Sequence, residues 1–171
     1  MTAQLSLQPN NLIYASYVRS LSRGSLNEAD TYLGDFPSPF IQNNVYGNRL
    51  GDIPNRFLAW GSVALPRKIT VYPKIEWRSG FPYQSFDVYQ NYIETSKAEK
   101  ARFPGYFALD ARVAKDIKMS SKYTLRPSIS INNLTNHFNG LEVHSNIADP
   151  QYGQFFGSYH RRMRVDFDLL F

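Results

Sequence analysis

The sequence contains no cysteine, which excludes a disulfide-stapled scaffold and any zinc site built from thiolates. It has no apolar run near the roughly 18 residues that a membrane-spanning helix needs. Lys and Arg never stand more than two in a row, so nucleic acid is not an expected partner, although the net charge is +5. Residues 1–7 lack both the basic and the apolar region of a signal peptide.

Aromatic residues, in contrast, are abundant. The chain of 171 residues carries 12 Tyr, 12 Phe and 2 Trp. Two architectures use such a content: the core of a soluble β-sandwich, or the aromatic girdles with which a membrane β-barrel meets both lipid interfaces. The missing apolar runs do not exclude the barrel, because its strands alternate apolar and polar residues.

The final stretch, residues 159–171, alternates between apolar and mostly charged positions. Its apolar positions are Met163, Val165, Phe167, Leu169 and Phe171. This period of two predicts a β-strand with one apolar and one charged face. In an outer-membrane barrel the apolar face contacts lipid and the charged face lines the lumen. The strand also ends on an aromatic residue, which resembles the signal that the barrel-assembly machinery reads, and this signal would comprise Phe171, Leu169 and Phe167.

The same alternation predicts six further strands, over residues 3–7, 12–22, 55–65, 69–79, 106–117 and 123–133. Their connections alternate between turns of about three to five residues and loops of about 25 to 30 residues, as in outer-membrane barrels. A strand of about ten to twelve residues, tilted near 45°, spans roughly 25 Å of lipid. Residues 23–54 carry many glycines, prolines and asparagines, a composition that predicts irregular loop.

The predicted fold is therefore all-β: an antiparallel transmembrane β-barrel wall of about seven strands, a partial barrel with short periplasmic turns and long extracellular loops. Ile129 and Leu169 are expected on the lipid face near the middle of the membrane. Pro73 and Pro127 fall within predicted strands, where proline removes a ladder hydrogen bond, and are expected to mark local bulges.

Six segments are informative through their order and spacing. They are residues 52–57 (DIPNRF), 76–83 (EWRSGFPY), 102–110 (RFPGYFALD), 132–139 (NNLTNHFN), 148–157 (ADPQYGQFFG) and 161–167 (RRMRVDF). Together they resemble the C-terminal β-barrel region of TonB-dependent outer-membrane receptors, above all the Oar-like subclass, which bears a carboxypeptidase-regulatory-like domain. The resemblance covers nearly the whole chain.

The resemblance implies a place in the bacterial cell outer membrane and energy-coupled uptake of a bulky nutrient, such as a siderophore, glycan or peptide. Such receptors have about 22 strands, a plug domain and a TonB box. Residues 1–171 are therefore expected to be the C-terminal segment of the barrel domain, a fragment without plug domain or signal peptide. The partners implied are outer-membrane lipid, the assembly machinery through the C-terminal strand, and the TonB system only through the missing N-terminal part.

The candidate site is the set of charged residues expected to face the lumen. They are Lys74, Glu76, Arg78, Asp110, Arg112, Arg126, Arg162, Arg164, Asp166 and Asp168. Two interpretations stay open: cross-strand ion pairs that satisfy the wall, or contact with a plug domain or a substrate path. The aromatic segments Phe81-Pro-Tyr83 and Phe155-Phe156 are candidate ligand platforms, with simple loop packing as the alternative.

Enzymatic activity is not expected. His144-Ser145-Asn146 contains the residue types of a hydrolase triad, but neighbours on an extended chain point to opposite sides, and no nucleophile elbow occurs. The aspartates lack the spacing of a calcium-binding loop, so neither a metal nor another cofactor is expected. Two other classes stay open: a small structural or adhesive barrel of about eight strands, and a soluble β-sandwich binding module.

Overall fold

The computed structural model describes residues 2–8, 11–25, 46–49, 51–89, 91, 93 and 101–171. No helix that is long and apolar enough to cross a membrane occurs among these residues. The described residues form one 3₁₀ turn, Pro66–Lys68, and twelve strands. The strands are β1 (Thr2–Gln8), β2 (Asn11–Arg19), β3 (Arg23–Ser25), β4 (Tyr46–Asn48), β5 (Asn55–Leu65), β6 (Ile69–Arg78), β7 (Tyr106–Lys115), β8 (Ile117–Lys118), β9 (Thr124–Asn132), β10 (Gly140–Val143), β11 (Phe155–Ser158) and β12 (Arg162–Leu170).

Seven long strands form one antiparallel sheet in the order β1-β2-β5-β6-β7-β9-β12, and the short β8 pairs with β9. Each long strand pairs with the next long strand along the chain, so the sheet is a meander. The predicted all-β, antiparallel fold is confirmed. In the described part of the chain β1 and β12 do not pair with each other, and the sheet is open rather than closed into a barrel.

The connections alternate in length as the sequence predicts. The 3₁₀ turn joins β5 to β6, and residues 116–123 lead from β7 to β9, whereas residues 20–54, 79–105 and 133–161 form the long connections. Several strand boundaries differ by one to three residues, and the largest differences are that β12 begins at Arg162 instead of residue 159 and that β2 ends at Arg19 instead of residue 22. Ser20 leaves the ladder because its N–H donates to the Pro54 carbonyl and its hydroxyl donates to the Ile53 carbonyl.

The long connections contain more regular structure than the sequence predicts. β3 pairs with β4, where Gly24 lies opposite Gly47, and β10 pairs with β11. The expectation that residues 23–54 are irregular throughout is therefore wrong. Short ladders of this kind are held by backbone hydrogen bonds, which need no alternation of side chains and leave no periodic signal in the sequence.

Pro73 and Pro127 do not mark bulges, contrary to expectation. Pro73 lies opposite Ala111 and Pro127 lies opposite Phe167, with the register unbroken on either side of each pair. With the strand on the other side of each proline, the pairing is interrupted. Pro73 lies in a gap of the β5–β6 ladder, and Pro127 lies between the end of the β7–β9 ladder and the start of the β8–β9 ladder. Proline has no N–H to donate, and a ladder is interrupted at both Pro73 and Pro127.

The buried side chains do not lie on the apolar face of the sheet. The large apolar side chains of that face are partly or largely exposed. Ala108 and Ala114, the buried apolar residues of the main sheet, belong to the opposite face in β7, and the buried polar residues of the described chain are Asp52, Ser85, Ser128, Asn133 and Asn139. A soluble half-covered sheet has the reverse arrangement, with its core on the apolar face.

Candidate functional site

One face of the main sheet is apolar from β2 to β12. Opposed apolar residues continue from strand to strand; Ile129, for example, lies opposite Val113 on one side and Val165 on the other. The charged residues on this face, Arg19 and Lys115, both stand at strand ends. The apolar positions are Ile13, Ala15, Tyr17, Phe57, Ala59, Val63, Leu65, Ile69, Val71, Ile75, Trp77, Phe107, Leu109, Ala111, Val113, Leu125, Ile129, Ile131, Met163, Val165, Phe167 and Leu169.

This apolar face is uncovered at β12, where Met163 is 68%, Val165 58%, Phe167 71% and Leu169 57% exposed. Leu169 is the penultimate residue of β12, close to the short β7–β9 connection, so it lies at the end of its strand and not near the middle. Val165 occupies the middle. The proposed assembly-signal residues Phe167 and Leu169 share this face, and Phe171 follows the strand with 98% of its surface exposed.

The opposite face carries all ten charged residues that the alternation assigns to one side. Lys74 lies opposite Asp110, and Arg126 lies opposite Asp168. The full set, placed together on β6, β7, β9 and β12, is Lys74, Glu76, Arg78, Asp110, Arg112, Arg126, Arg162, Arg164, Asp166 and Asp168.

Ion pairs connect most of these residues across strands. Arg112 reaches across β9 to Asp168 at 2.9 Å, and Arg164 contacts Asp166 along β12 at 3.0 Å. The other pairs on this face are Lys74–Asp110 at 3.3 Å, Arg56–Glu76 at 3.0 Å, Arg78–Glu76 at 3.9 Å and Arg126–Asp116 at 2.5 Å. Arg78–Glu76 is the most buried of these pairs, with side chains 19% and 15% exposed. The more exposed pairs, such as Arg112–Asp168, contribute about 0–1 kcal/mol each to stability.

Two adjoining cavities open on the charged face. The larger, of about 630 Å³, lies between the loop-side ends of β6, β7, β9 and β12 and the long loops, and Phe81, Phe103 and Leu141 form part of its wall. The smaller, of about 340 Å³, lies farther along the strands, over Tyr72, Arg112 and other residues of the sheet. Asp110 and Asn132 line both, so the cavities share a wall.

Two guanidinium groups of the larger cavity are stacked on aromatic rings. The Arg78 Cζ atom lies 4.2 Å from the ring centre of Phe81 and 4.5 Å from that of Tyr106. Arg162 lies over Tyr159 at 5.0 Å and forms no ion pair with a described residue. Stacking orients the planar group while leaving its edge N–H donors available, which suits recognition of carboxylate or phosphate oxygens.

A buried ion pair joins two of the long loops. Asp52 is fully buried and pairs with Arg102, which also donates to the carbonyl oxygens of Asp52 and Gly80. The second carboxylate oxygen of Asp52 accepts a 2.7 Å hydrogen bond from the Ser22 N–H. The pair therefore fixes the end of the β2–β5 connection against the β6–β7 connection, directly beside the larger cavity.

Two buried asparagines hold the start of the β9–β12 connection. The Asn139 side chain accepts from the Phe107 N–H at 3.0 Å and donates to the Phe107 carbonyl at 2.9 Å, as a paired strand would. Asn133 donates to the carbonyl oxygens of His137 and Tyr159 and, through its own N–H, to Asp110. The 132–139 segment thus closes one side of the cavity.

The aromatic segments of the loops differ in role. Tyr83 packs edge-on against Phe103 and Phe155, with ring centres 5.9 Å apart in each case, so these residues form a loop core. Burial raises the pKa of the Tyr83 hydroxyl above its ordinary value. Phe81, in contrast, faces the larger cavity and stacks on Arg78.

The residues of the considered hydrolase triplet have different contacts. His144 lies 2.8 Å from Asp149 Oδ2 and packs on Phe156, while the Ser145 carbonyl accepts from the Phe86 N–H. In the part of the chain that the structure describes, no three His, Asp or Glu residues come together at metal-binding distance. Asp110, Asp166 and Asp168 are engaged with lysine or arginine.

Sequence reasoning missed several residues that build the site. Arg56 belongs to the charged face, where it pairs with Glu76, and the period-two pattern contains it. Asp52, Arg102 and Asn139 lie in loops, where no periodicity marks them; the one available signal was their place inside the segments 52–57, 102–110 and 132–139.

Comparison with protein-family models, curated proteins and solved structures finds no match to this chain.

Proposed function

We propose that the chain forms part of the wall of a TonB-dependent outer-membrane receptor that takes up a bulky nutrient, such as a siderophore, glycan or peptide. The observation that carries the membrane part is the apolar face that runs from β2 to β12, whose side chains are partly exposed on the inner strands and largely exposed on β12. The receptor and uptake part rests on the resemblance of the six segments.

An uncovered face of this size is costly in water. Soluble monomers rarely expose contiguous apolar patches larger than a few hundred Å², roughly 300–600 Å² at most. Lipid removes this cost, because the acyl chains are as apolar as the side chains that they contact. The strand lengths agree: β2, β5, β6, β7, β9 and β12 contain 9 to 11 residues, and a tilted strand needs about 9–11 to cross a bilayer.

A row of aromatic residues also supports contact of the apolar face with the membrane. Tyr17, Phe57, Trp77 and Phe107 lie opposite one another across β2, β5, β6 and β7, on the apolar face and close to the long connections. Aromatic girdles occupy this level in membrane barrels, where the rings meet the lipid headgroups. The long connections would then be extracellular and the short turns periplasmic.

The proposal places a requirement on the two edges of the sheet. Lipid offers no hydrogen-bond partner for the free N–H and C=O groups of an edge strand, so only closed barrels persist in it. β1 and β12 must each pair with a further strand on their free side, as they would within a larger barrel wall.

The test uses the two tryptophans, which lie on opposite faces. Trp77 belongs to the apolar face, whereas Trp60 lies on the charged face, stacked on Tyr14 at 5.4 Å. Trp60→Phe leaves Trp77 as the reporter, and Trp77→Phe leaves Trp60, so the two variants are matched controls. The chain is reconstituted, at a density at which neighbouring copies can supply partners for the edges of β1 and β12, in vesicles whose lipids carry bromine either near the headgroup or near the acyl-chain end.

We expect brominated lipid to quench Trp77, more strongly when bromine is near the headgroup, and to leave Trp60 nearly unquenched. A chain that stays soluble without detergent and shows no quenching would instead be a β-sandwich binding module. Insertion together with a disulfide within one chain, between a cysteine placed in β1 and one placed in β12, would favour the small structural or adhesive barrel. Only a small closed barrel brings β1 and β12 of the same chain side by side.

A further inference from the structure

Charge is unevenly distributed along the strands of the charged face. A row is here a set of residues that lie opposite one another across neighbouring strands, and two adjacent rows near the cavities carry basic residues. One row contains Arg112 and Arg164, in register with Tyr72 and Ser130. The next row, closer to the long loops, contains Arg162 opposite Asn132. The rows nearer the short turns contain Asp166, opposite Ser128, and Asp168, opposite Arg126. The strand residues of this face are therefore more basic at the cavities than beyond them.

The two cavities concentrate this positive charge. Five cationic side chains line them, against two carboxylates, which leaves a net charge of +3 with His160 neutral. The cations are Lys74, Arg78, Arg112, Arg162 and Arg164, and the carboxylates are Glu76 and Asp110. Arg112 and Arg164 are paired with Asp168 and Asp166, which do not line either cavity. With these two carboxylates included, the net charge around the cavities is +1, and Arg162 is the cavity cation without a carboxylate partner among the described residues.

We propose that the joined cavities bind an anionic solute that carries at least two carboxylate or phosphate groups next to an apolar or ring portion. Arg162, which has no carboxylate partner among the described residues, takes one anionic group in the larger cavity, and Arg164 and Lys74 take another in the smaller one. Phe81, Phe103 and Leu141 contact the apolar portion.

The dimensions and chemistry of the cavities fit such a solute. Volumes of about 630 and 340 Å³ lie within or close to the range of small-molecule sites, roughly 300–1,000 Å³. Arginine offers paired N–H donors that match two oxygens of one carboxylate or phosphate. A positively charged concave wall also raises the local concentration of an anion before it binds. The inference deepens the proposed uptake function, since it names the class of solute that the charged face would receive.

The test is a titration with benzenetricarboxylate, which has a ring and several carboxylates, and with the corresponding neutral tricarboxamide. Trp60 lies opposite Lys74, beside the smaller cavity, so the full chain with Trp77→Phe reports binding through Trp60 fluorescence. We expect saturable binding of the carboxylate that weakens as salt is added, and no binding of the amide. A parallel titration with inorganic pyrophosphate shows which of the two anionic groups binds more tightly.

The decisive variant is Arg162→Met, which we expect to weaken binding at least about tenfold, the magnitude of one charged hydrogen bond. Arg162→Lys keeps the charge and should retain part of the affinity, which guards against a folding defect in the first variant. Lys122→Gln, in the exposed short connection between β7 and β9, removes the same charge away from the cavities and should leave the affinity unchanged.

Equal binding of the amide, or equal affinities for Arg162→Met and Lys122→Gln, would overturn the proposal. The result is separable from that of the lipid-quenching experiment. Quenching of Trp77 without anion binding refutes the solute class alone, whereas anion binding without quenching refutes the membrane position alone.

Discussion

Val165 of β12 lies opposite Ile129 of β9, and these two aliphatic side chains are 58% and 45% exposed in the middle of their strands. A cross-strand apolar pair in the interior of a soluble sheet is normally buried, because its burial is what stabilises the sheet. The exposure of this pair agrees with the proposed contact of this face with lipid.

The first prediction concerns depth in the membrane. Val165→Arg, at mid-strand, should destabilise folding into lipid by about 2–4 kcal/mol, and Leu169→Arg, at the strand end, by about 0–1 kcal/mol. The two residues share a face and a strand and are 58% and 57% exposed, so burial in the protein does not distinguish them. Urea titration of the chain in lipid vesicles measures both free energies.

A control on the other face completes this experiment. Asp166→Asn removes an exposed pair with Arg164 and should cost less than about 1 kcal/mol. If Val165→Arg and Leu169→Arg had equal and small effects, the apolar face would be in contact with water and the proposed membrane position would be wrong.

The arrangement of the two faces was predictable from the sequence because a strand's side chains alternate within a few residues of one another. Met163 and Arg164 are assigned to opposite faces by their spacing alone, and the register then joins the faces of neighbouring strands. The loops carry no such local rule. Asp52 and Arg102 are 50 residues apart, and nothing in either segment signals that the two side chains meet. The cavities depend on such contacts, so only their sheet-side wall could be predicted.

The second prediction concerns that loop contact. Arg102→Met leaves the fully buried Asp52 carboxylate without its cation and should destabilise the loops by about 3–5 kcal/mol. Adding Asp52→Asn should recover part of the loss, because the amide oxygen still accepts from the Ser22 N–H. Hydrogen exchange of the Ser22 amide measures the local stability in both variants.

The matched control for this pair is Arg56→Met, which removes an arginine that is 48% exposed and leaves its partner Glu76 in contact with Arg78. It should change stability by about 0–1 kcal/mol. Equal losses for Arg56→Met and Arg102→Met would mean that burial of Asp52 contributes nothing, contrary to its place between the two loops.

The third prediction concerns close backbone packing between β2 and β5. A Cβ atom at Gly61 would collide with the Leu12 carbonyl oxygen and would lie 2.9 Å from the Ile13 Cα atom. Backbone atoms cannot rotate away, so Gly61→Ala must shift one strand and should cost about 1–3 kcal/mol. Gly51→Ala is the control, because no atom lies within 4 Å of its added Cβ. Faster hydrogen exchange in β2 for the first variant alone is the expected result.

The fourth prediction concerns acid. The Gln151 N–H donates to Asp149 Oδ1 at 2.8 Å, and His144 Nδ1 lies 2.8 Å from Oδ2. The backbone hydrogen bond first, and then the histidine, lower the pKa of Asp149 below its ordinary value. Because the native pKa is the lower one, the carboxylate stabilises this turn fully above about pH 4, and the contribution is lost as the pH falls through the native pKa.

Nuclear magnetic resonance can follow this titration at the Gln151 amide, whose hydrogen bond weakens when Asp149 is protonated. The midpoint should lie below about pH 4, the ordinary range of an aspartate. Asp149→Asn should abolish the titration while keeping an oxygen acceptor for the Gln151 N–H. A midpoint at or above the ordinary value would mean that neither bond favours the charged carboxylate. The turn after β10 would then be held by other contacts, such as the stacking of His144 on Phe156 at 4.7 Å.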